Sequence, residues 1–350
     1  MTFRLLHLYA QKRCLLKKKE VFFLDRLKIG VIGVGNMGRN HLRILSEETM
    51  RFDLVGIYDA DKARAISLAE RYGTKAFSDA EVLLTQVKAV IIAVPSSLHK
   101  EYGMLAASYG VSALIEKPLA ITSRDAAELT EAFSTHLCKL AVGHVERFNP
   151  VIAVLKNVLR HEEIVCIEAR RYSPFDGRIK DANVIEDLMI HDVDLVCDLL
   201  DGHEITSVAG SGRIIKSERL DFAQSILQFD NSVQASVFVS RVTADKIREV
   251  DIHTRDSFIK ADLLAKTLLI CTNTNMVIDE GLESAYKQDS LTQRIFVPIV
   301  EPLRAELLSF HQAVTEDCKV VVDGNVATRV ISVCEAIQEK CRISIGNVIA

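Results

Sequence analysis

The sequence predicts a two-domain fold: an α/β domain with a doubly wound parallel sheet, followed by an α+β domain with a mostly antiparallel, open sheet. Three observations lead to this prediction. A strand, a glycine-rich turn and a helix follow one another from residue 27; strands and helices then alternate to about residue 148; beyond residue 200, strand-like runs follow one another without helices. Alternation is typical of a parallel sheet covered by helices, and runs of strands are typical of an antiparallel one.

Length and composition agree with two ordinary globular domains. The chain has 350 residues, of which 49% are hydrophobic and 26% charged, and such a chain can bury a sizeable core. The formal net charge of −4 gives no reason to expect a nucleic-acid partner. Eight cysteines occur without CxxC pairs or zinc-ligand spacing, which indicates reduced thiols and a cytoplasmic location.

Residues 1–26 form a basic leader, which we separate from a first domain at residues 27–148 and a second at residues 149–350. The leader contains seven basic and two acidic residues, and its apolar runs are too short for a signal-peptide core or a membrane span. Two interpretations stay open: a basic segment that touches a membrane surface, and a loose extension or an upstream start codon. We expect no integral membrane segment.

A strand that ends in a glycine-rich turn opens the first domain. The run KIGVIG is continuously apolar, and a helical pattern begins where GVGNMG ends. In a Rossmann fold the first glycine permits the tight turn, the second lets the backbone approach a pyrophosphate, and the third lets the helix pack closely on the strand. The residues expected to bind a dinucleotide here are Gly33, Gly35, Asn36, Met37 and Gly38.

An acidic residue follows the second strand, DLVGIYD, at the position that selects between cofactors. Asp59 can accept hydrogen bonds from ribose hydroxyls, and its charge repels a 2′-phosphate. We therefore predict NAD as the cofactor in preference to NADP, with nearby Lys62 and Arg64 moderating that preference.

Two later strands, AVIIAVP and SALIEKP, end at the same rim of the predicted sheet. Ligands of such sheets bind beyond the carboxyl ends of the strands, so residues just after these strands are expected to line the cofactor crevice. They are Pro95, Ser96, His99, Glu116, Lys117 and Pro118.

The segment VIEDLMIHDVDLV, residues 184–196, is apolar apart from one polar stripe. At about 100° per residue, Asp187, His191 and Asp194 fall on one side of a helix, with Asp198 one turn further on. A helix that is apolar elsewhere is largely buried, so the stripe faces either water or a cavity. Periodicity alone leaves both alternatives open.

The second half of the chain is dominated by strand-like runs. Alternation in SVQASVFVS places Val233, Ala235, Val237 and Val239 on one face of a sheet and Gln234, Ser236, Phe238 and Ser240 on the other. We expect one face of this sheet to cover the helix of residues 184–196. The other face is either solvated or used for subunit pairing. The predicted strands are ITSVAGSGRI, DFAQSILQF, SVQASVFVSRV, EVDIHTRDSFIKADL and KTLLICT, and two helices, residues 303–315 and 326–341, follow them.

Five motifs occur in one order along the chain: GVGNMG, AVPSSLH, EKP, GHVERFNP and the pair of Asp187 and His191. With these motifs, residues 27 to about 347 resemble the Gfo/Idh/MocA family of NAD(P)-dependent dehydrogenases, named after glucose-fructose oxidoreductase and inositol dehydrogenase. The resemblance implies that Lys117, Asp187 and His191 form the catalytic set. It also implies a homodimer or homotetramer assembled through the second sheet. The segment EARRYSPFDGRIKDANVIEDLMIHDVDL is most similar to members that act on nucleotide sugars such as UDP-N-acetylglucosamine, which are oxidised at the 3-hydroxyl.

Oxidation of a secondary alcohol needs a proton acceptor near the hydroxyl and a cation that stabilises the developing alkoxide. Either His191 or Lys117 could carry the proton; we favour His191 as the acid–base group and Lys117 as the electrostatic clamp. Asp187 is expected to orient the imidazole, and Asp194 and Asp198 are expected to face solvent. A metal is not expected, because no third ligand stands at a suitable spacing.

An arginine-rich segment lies just ahead of the predicted catalytic helix. The guanidinium groups of Arg170, Arg171 and Arg178 suit a diphosphate, and Tyr172 could stack on uracil or sugar. The substrate residues expected are therefore Arg171, Tyr172 and Arg178, together with Asp187 and His191. Alternatively the arginines pair with Asp176, Asp181 and Glu186 at the surface. Two other functions stay open: a dehydrogenase of a free sugar or cyclitol, and a noncatalytic NAD-binding sensor.

Overall fold

The computed structural model describes residues 26–177, 182–278 and 286–349. Most of the predicted leader, residues 1–25, lies outside the described residues, as does Arg178. Arg26 is described, and it forms an ion pair of 3.3 Å with Asp53. In the described ranges, no helix is both long and apolar enough to cross a membrane.

The first sheet is the doubly wound parallel sheet that the sequence predicts. Its strands pair in parallel in the order β3-β2-β1-β4-β5-β6. The central strands β1, β4 and β5 are buried almost without interruption, because helices cover both faces. The strands are β1 (Leu27–Ile32), β2 (Phe52–Tyr58), β3 (Lys75–Ala76), β4 (Ala89–Ile92), β5 (Ser112–Glu116) and β6 (Leu140–Gly143).

Five helices connect these strands, and their ends follow ordinary capping chemistry. Asp61 and Thr122 accept hydrogen bonds from the third residue after each of them and so begin two helices, while Gly73, at φ +64°, ends one. The sequence patterns did not predict the short strand β3 or the five-residue third helix. The helices are α1 (Asn36–Glu47), α2 (Lys62–Tyr72), α3 (Ala80–Leu84), α4 (His99–Ser108) and α5 (Ser123–Thr135).

The second sheet has eight strands in the order β14-β13-β12-β11-β7-β10-β9-β8, and all pairs except β7 with β10 are antiparallel. The run EVDIHTRDSFIKADL forms two strands rather than one, because a tight turn follows Thr254, whose N–H donates to Ser257 O (2.9 Å). The strands are β7 (Ile164–Tyr172), β8 (Ile205–Arg213), β9 (Phe222–Phe229), β10 (Gln234–Ser240), β11 (Ile247–Thr254), β12 (Phe258–Asp262), β13 (Thr267–Ile278) and β14 (Tyr286–Ile295).

Strand β10 alternates as predicted. Ala235, Val237 and Val239 are buried beneath the helices, and Gln234 is exposed on the outer face. The outer face also carries Ile226, whose side chain is 49% exposed. Use of this face for subunit pairing stays a prediction.

The helices of the second half tie the two domains together. Leu307 and Phe310 share a core with Phe52 of β2, so one late helix packs on the first domain although it belongs to the second half of the sequence. A second core runs without a break from Leu129 of α5 to Val237 of β10. These helices are α6 (Pro150–Leu159), α7 (Ile190–Leu199), α8 (Pro302–Thr315) and α9 (Gly324–Ile349). Because these cores include residues of both domains, the two domains pack against each other.

Candidate active site

The glycine-rich turn after β1 forms an open cradle. Gly33 has φ +85°, and a Cβ there would lie 2.7 Å from the backbone of Ala93. A Cβ at Gly38 would overlap the Gly33 carbonyl oxygen, whereas one at Gly35 would meet no described atom within 4 Å. Gly35 is the N-cap of α1 and supplies no side-chain cap, so the first N–H groups of the helix are available to an anion. This geometry fits a pyrophosphate, and the exposed Asn36 and Met37 lie beside it.

Asp59 is built into the same turn. Its Oδ2 accepts the Val34 N–H (2.8 Å) and its Oδ1 accepts the Asp61 N–H (2.8 Å), while Arg64 Nη1 lies 3.5 Å from Oδ1. The carboxylate therefore holds the glycine turn as well as standing where a ribose would bind. Arg64 lies beside this carboxylate, and its moderating effect on the preference for NAD over NADP stays a prediction.

Two residues that were predicted to line the cofactor crevice, Glu116 and His99, contact other groups of the protein instead. Glu116 accepts a hydrogen bond of 2.7 Å from the buried His41 Nε2 on α1. His99 is buried, with Nδ1 2.7 Å from Pro118 O and Nε2 3.0 Å from Val94 O. Burial lowers the pKa of the His99 imidazole. These contacts tie the ends of β4 and β5 together, so His99 positions the rim and its ring nitrogens are not directed at a cofactor.

The predicted catalytic helix does not begin as an α-helix. Residues Ile185–Met189 form a π-helical turn, in which the Ile190 N–H donates to Ile185 O, five residues earlier. The wider turn breaks the assumed 100° spacing between Asp187 and the residues of α7. Such turns frequently occur at functional sites.

Lys117 contacts Asp187 at this turn. Lys117 Nζ donates to Asp187 O (2.7 Å) and lies 3.4 Å from Asp187 Oδ1. The side chains are 19% and 23% exposed, so the ammonium is partly withdrawn from water but still reachable. The contact of Asp187 is with Lys117 and not, as the sequence suggested, with the imidazole of His191.

His191 lies in the first turn of α7 with one ring nitrogen enclosed and one open. Nδ1 is buried without a hydrogen-bond partner, while Nε2, which has no partner among the described residues, is not enclosed. Burial, and then the charges of Lys117 and Arg171, hold the pKa of His191 well below its usual value. The imidazole is therefore neutral near pH 7 and can accept a proton.

The structure corrects the assignment of Arg171 as a diphosphate ligand. Arg171 is 1% exposed, its Nε and Nη2 each donate to Asp192 Oδ1 (3.1 and 2.9 Å), and Nη1 donates to Glu146 Oε1 (3.0 Å). Burial alone would lower the pKa of this guanidinium, but Asp192 and Glu146 raise it above its usual value. Arg171 is thus a structural cation beneath α7, and its donors are directed away from the cleft.

Two other described residues of the arginine-rich segment, Arg170 and Tyr172, are not among the residues that line the cleft beside Lys117. Arg170 projects to the outer face of the sheet, where Nη2 pairs with Asp251 (2.6 Å) and Glu249 (2.8 Å). Tyr172 alternates with Arg171 along β7 and therefore shares the face of Arg170. The carboxylates that pair with Arg170 and Arg171 therefore differ from the predicted surface partners Asp176, Asp181 and Glu186.

The carboxylates of α7 expected to face solvent are internal as well. Asp194 is fully buried and receives two hydrogen bonds from Arg147, from Nε (2.8 Å) and Nη2 (2.7 Å). Arg147 Nη1 also donates to Asp198 (2.9 Å). The periodicity could not show this, because the partner lies in GHVERF, in a 3₁₀ turn at Val145–Phe148. Arg147 of that turn thus binds two carboxylates of α7 and holds the helix in place. The sequence patterns did not predict this structural role.

Two of the predicted catalytic residues, Lys117 and Asp187, line a cleft of about 480 Å³ between the domains; His191 is not among its lining residues, although the preceding Ile190 is. Ser96, Lys117 and Pro118 form its cofactor side, Asp187 and Ile190 its catalytic side, and Arg219 and Glu335 are also among its walls. A larger cavity, of about 710 Å³, lies at the amino ends of the parallel strands and is lined by Lys28, Lys75 and Lys88. Ligands of doubly wound sheets bind at the carboxyl ends, so the 480 Å³ cleft is the candidate active site.

The fold and the site define an NAD-dependent oxidoreductase that acts on CH–OH groups. A family model described as "Oxidoreductase family, NAD-binding Rossmann fold" matches residues 27–144, and a GFO/IDH/MocA C-terminal domain matches residues 164–258. The chain belongs to the Gfo/Idh/MocA oxidoreductase family.

Individual relatives span nearly the whole chain. UDP-N-acetylglucosamine 3-dehydrogenase of Acidithiobacillus ferrooxidans is 31% identical over 313 residues, which cover 87% of this chain and 94% of that protein. Its solved structure superimposes with a TM-score of 0.83 and 29% identity, covering 91% of this chain and 98% of the other. An inositol 2-dehydrogenase of Rhizobium meliloti is 25% identical over 91% of this chain and 99% of its own length.

Replacing Asp59 is expected to change both cofactor affinity and cofactor choice. In Asp59→Ala the ribose hydroxyls lose an acceptor, so the Kd for NADH should rise about 10- to 100-fold, as for a hydrogen bond to a charged group. NADPH should weaken much less, because its 2′-phosphate no longer meets a repelling carboxylate. Fluorescence titration of both nucleotides measures this. Asp53→Ala, which removes a half-exposed carboxylate from the other end of β2, is the control. Equal weakening of both nucleotides by Asp59→Ala would show that Asp59 only holds the turn.

Proposed function

We propose that this protein oxidises a secondary hydroxyl of a nucleotide sugar, namely the 3-hydroxyl of UDP-N-acetylglucosamine or a related UDP-sugar. The observation that carries the proposal is the single cleft that joins the cofactor rim at Ser96 to Lys117 and Asp187. Its volume of about 480 Å³ lies within the range of roughly 300–1,000 Å³ that is usual for small-molecule sites. The nucleotide-sugar class and the 3-position rest on the likeness to the A. ferrooxidans enzyme.

Lys117 and Asp187 of the cleft, together with His191, which follows the lining residue Ile190, are suited to the two halves of the reaction. When bound, NAD supplies the acceptor for the hydride that leaves the carbinol carbon. His191, neutral near pH 7, receives the hydroxyl proton at Nε2. The Lys117 ammonium, already oriented by Asp187 O, stabilises negative charge as it develops on the oxygen. Asp187 acts as the positioning residue for Lys117.

A turnover screen with purified protein and NAD tests the substrate. We expect UDP-N-acetylglucosamine to give a kcat/KM at least about tenfold above that of N-acetylglucosamine, since the nucleotide adds charged contacts. Absorbance of reduced nicotinamide measures the rate. Reduction of the product with borodeuteride should place deuterium at C3. His191→Asn is the inactive control.

Two outcomes would contradict the proposal in different ways. Turnover of myo-inositol or a free hexose, without turnover of any UDP-sugar, would assign the protein to the free-sugar and cyclitol dehydrogenases. NAD binding without turnover of any of these compounds would favour a noncatalytic sensor.

A further inference from the structure

A buried carboxylate organises the loop between β8 and β9. Asp221 is fully buried, and its Oδ2 accepts the N–H groups of Ile215 (2.8 Å), Lys216 (2.6 Å) and Ser217 (2.9 Å). Its Oδ1 accepts Arg241 Nε (2.8 Å) and Ser217 Oγ–H (2.7 Å). A single side chain therefore fixes three consecutive backbone groups of the loop. The pKa of Asp221 lies well below its usual value, because these donors outweigh the effect of burial.

The same loop is joined to the start of the catalytic segment. The Val184 N–H donates to Leu220 O (3.0 Å), and Arg241 Nη1 donates to Ala182 O (2.9 Å). The Arg219 N–H donates to Ser217 Oγ (3.1 Å). Arg219 is thus held at the π-helical turn by backbone contacts on both sides, and its position is defined before any ligand binds.

Arg219 is one of the residues that line the candidate cleft. The cleft contains two cations, Lys117 and Arg219. Lys117 pairs with Asp187, whereas Arg219 forms no ion pair and no side-chain hydrogen bond with any described residue.

The two other carboxylates of the cleft already have donors. Glu186 accepts the Asn183 N–H (3.0 Å), and Glu335 accepts the Ser123 N–H (3.0 Å) and hydroxyl (2.5 Å). Backbone contacts therefore fix where Arg219 starts from the loop, and its exposed guanidinium is paired with no carboxylate among the described residues.

We propose that Arg219 binds a phosphate group of the substrate and so determines its class. The inference rests on the proposed function, because the substrate must place its hydroxyl at Lys117 and His191. A guanidinium fork binds phosphate oxygens in two parallel hydrogen bonds, and a preorganised loop reduces the entropy lost on binding. Arg219 takes the role that the sequence suggested for Arg171. The phosphate belongs either to the diphosphate of a nucleotide sugar or to a sugar monophosphate.

Removing the charge of Arg219 is the direct test. In Arg219→Gln we expect the KM for UDP-N-acetylglucosamine to rise about 10- to 100-fold, the loss expected for a hydrogen bond to a charged group. Inhibition by UDP should weaken by a similar factor, while the Kd for NADH stays unchanged. Lys216→Gln is the matched control, since it removes an exposed cation from the same loop and leaves the backbone contacts to Asp221 intact. Arg219→Lys should recover part of the affinity.

The outcomes separate this inference from the proposed function. Wild-type turnover of UDP-N-acetylglucosamine with an unchanged KM in Arg219→Gln would overturn the role of Arg219 and leave the function standing. An effect of Arg219→Gln on glucose 6-phosphate alone, without turnover of UDP-sugars, would support the phosphate contact and change the substrate to a monophosphate. Turnover confined to uncharged sugars would overturn both the inference and the nucleotide-sugar assignment.

Discussion

Lys117→Met and His191→Asn should each lower kcat at least ~10²-fold while the Kd for NADH stays near its wild-type value, because positioned acid–base groups commonly contribute ~10²- to 10⁴-fold. Lys117 Nζ donates to Asp187 O. Lys117→Met removes the proposed stabiliser of the developing alkoxide, and His191→Asn removes the proposed proton acceptor. Steady-state kinetics and nucleotide titration measure the two quantities. Lys100→Met, at a surface lysine paired with Asp125 and Glu128, is the control.

The pH profile distinguishes a chemical role from a merely structural one. Burial first, and Lys117 second, lower the pKa of His191, so the wild-type enzyme should keep its base unprotonated below the ordinary histidine range. Activity should then fall only as the pH drops through that lowered value. In Lys117→Met one cause is removed, and the acid limb of the residual activity should move to higher pH. Near-normal turnover in both variants, or an acid limb that does not move, would exclude these residues from catalysis.

Arg171→Met should destabilise the protein by about 3–5 kcal/mol, the loss that follows when one partner of a buried ion pair is removed. Asp192 would lose its guanidinium partner in a fully buried site, and Glu146 would keep only its ion pair with Arg248. The midpoint of urea unfolding measures the change. Arg171 also binds Asp192 of α7, the helix that carries His191. The variant should therefore also lose activity, because His191 is displaced.

The neighbouring residue supplies a matched control for this prediction. Arg170 also pairs with two carboxylates, but on the outer face of the sheet, where its side chain is 36% exposed. Exposed ion pairs contribute about 0–1 kcal/mol, so Arg170→Met should change stability by no more than that. Equal effects in the two variants would show that the buried network around Arg171 does not hold α7.

Much of the first domain could be predicted from sequence because its signals are local. The strand before Gly33, the turn glycines and Asp59 all lie within one βαβ unit, where each residue type is required by backbone geometry or by the ligand. The predicted parallel sheet is confirmed, with its glycines and Asp59 placed together. The alternation of β10 was equally predictable, because a half-buried strand has a period of two.

The candidate site needed the tertiary structure wherever partners are distant along the chain. The sequence pattern around a charged residue is the same whether its side chain contacts water, a substrate or a buried opposite charge. Only the fold brings Asp192 and Glu146 to Arg171. The π-helical turn has no simple sequence periodicity, yet it directs Asp187 to Lys117 instead of His191. Arg219 lies in a loop without periodic pattern, and the long-range bonds of Asp221 place it at the cleft. The sequence by itself thus determined the cofactor domain and the residue types of the candidate site, whereas burial and distant pairing decided which charges have structural partners and which cation of the cleft has none among the described residues.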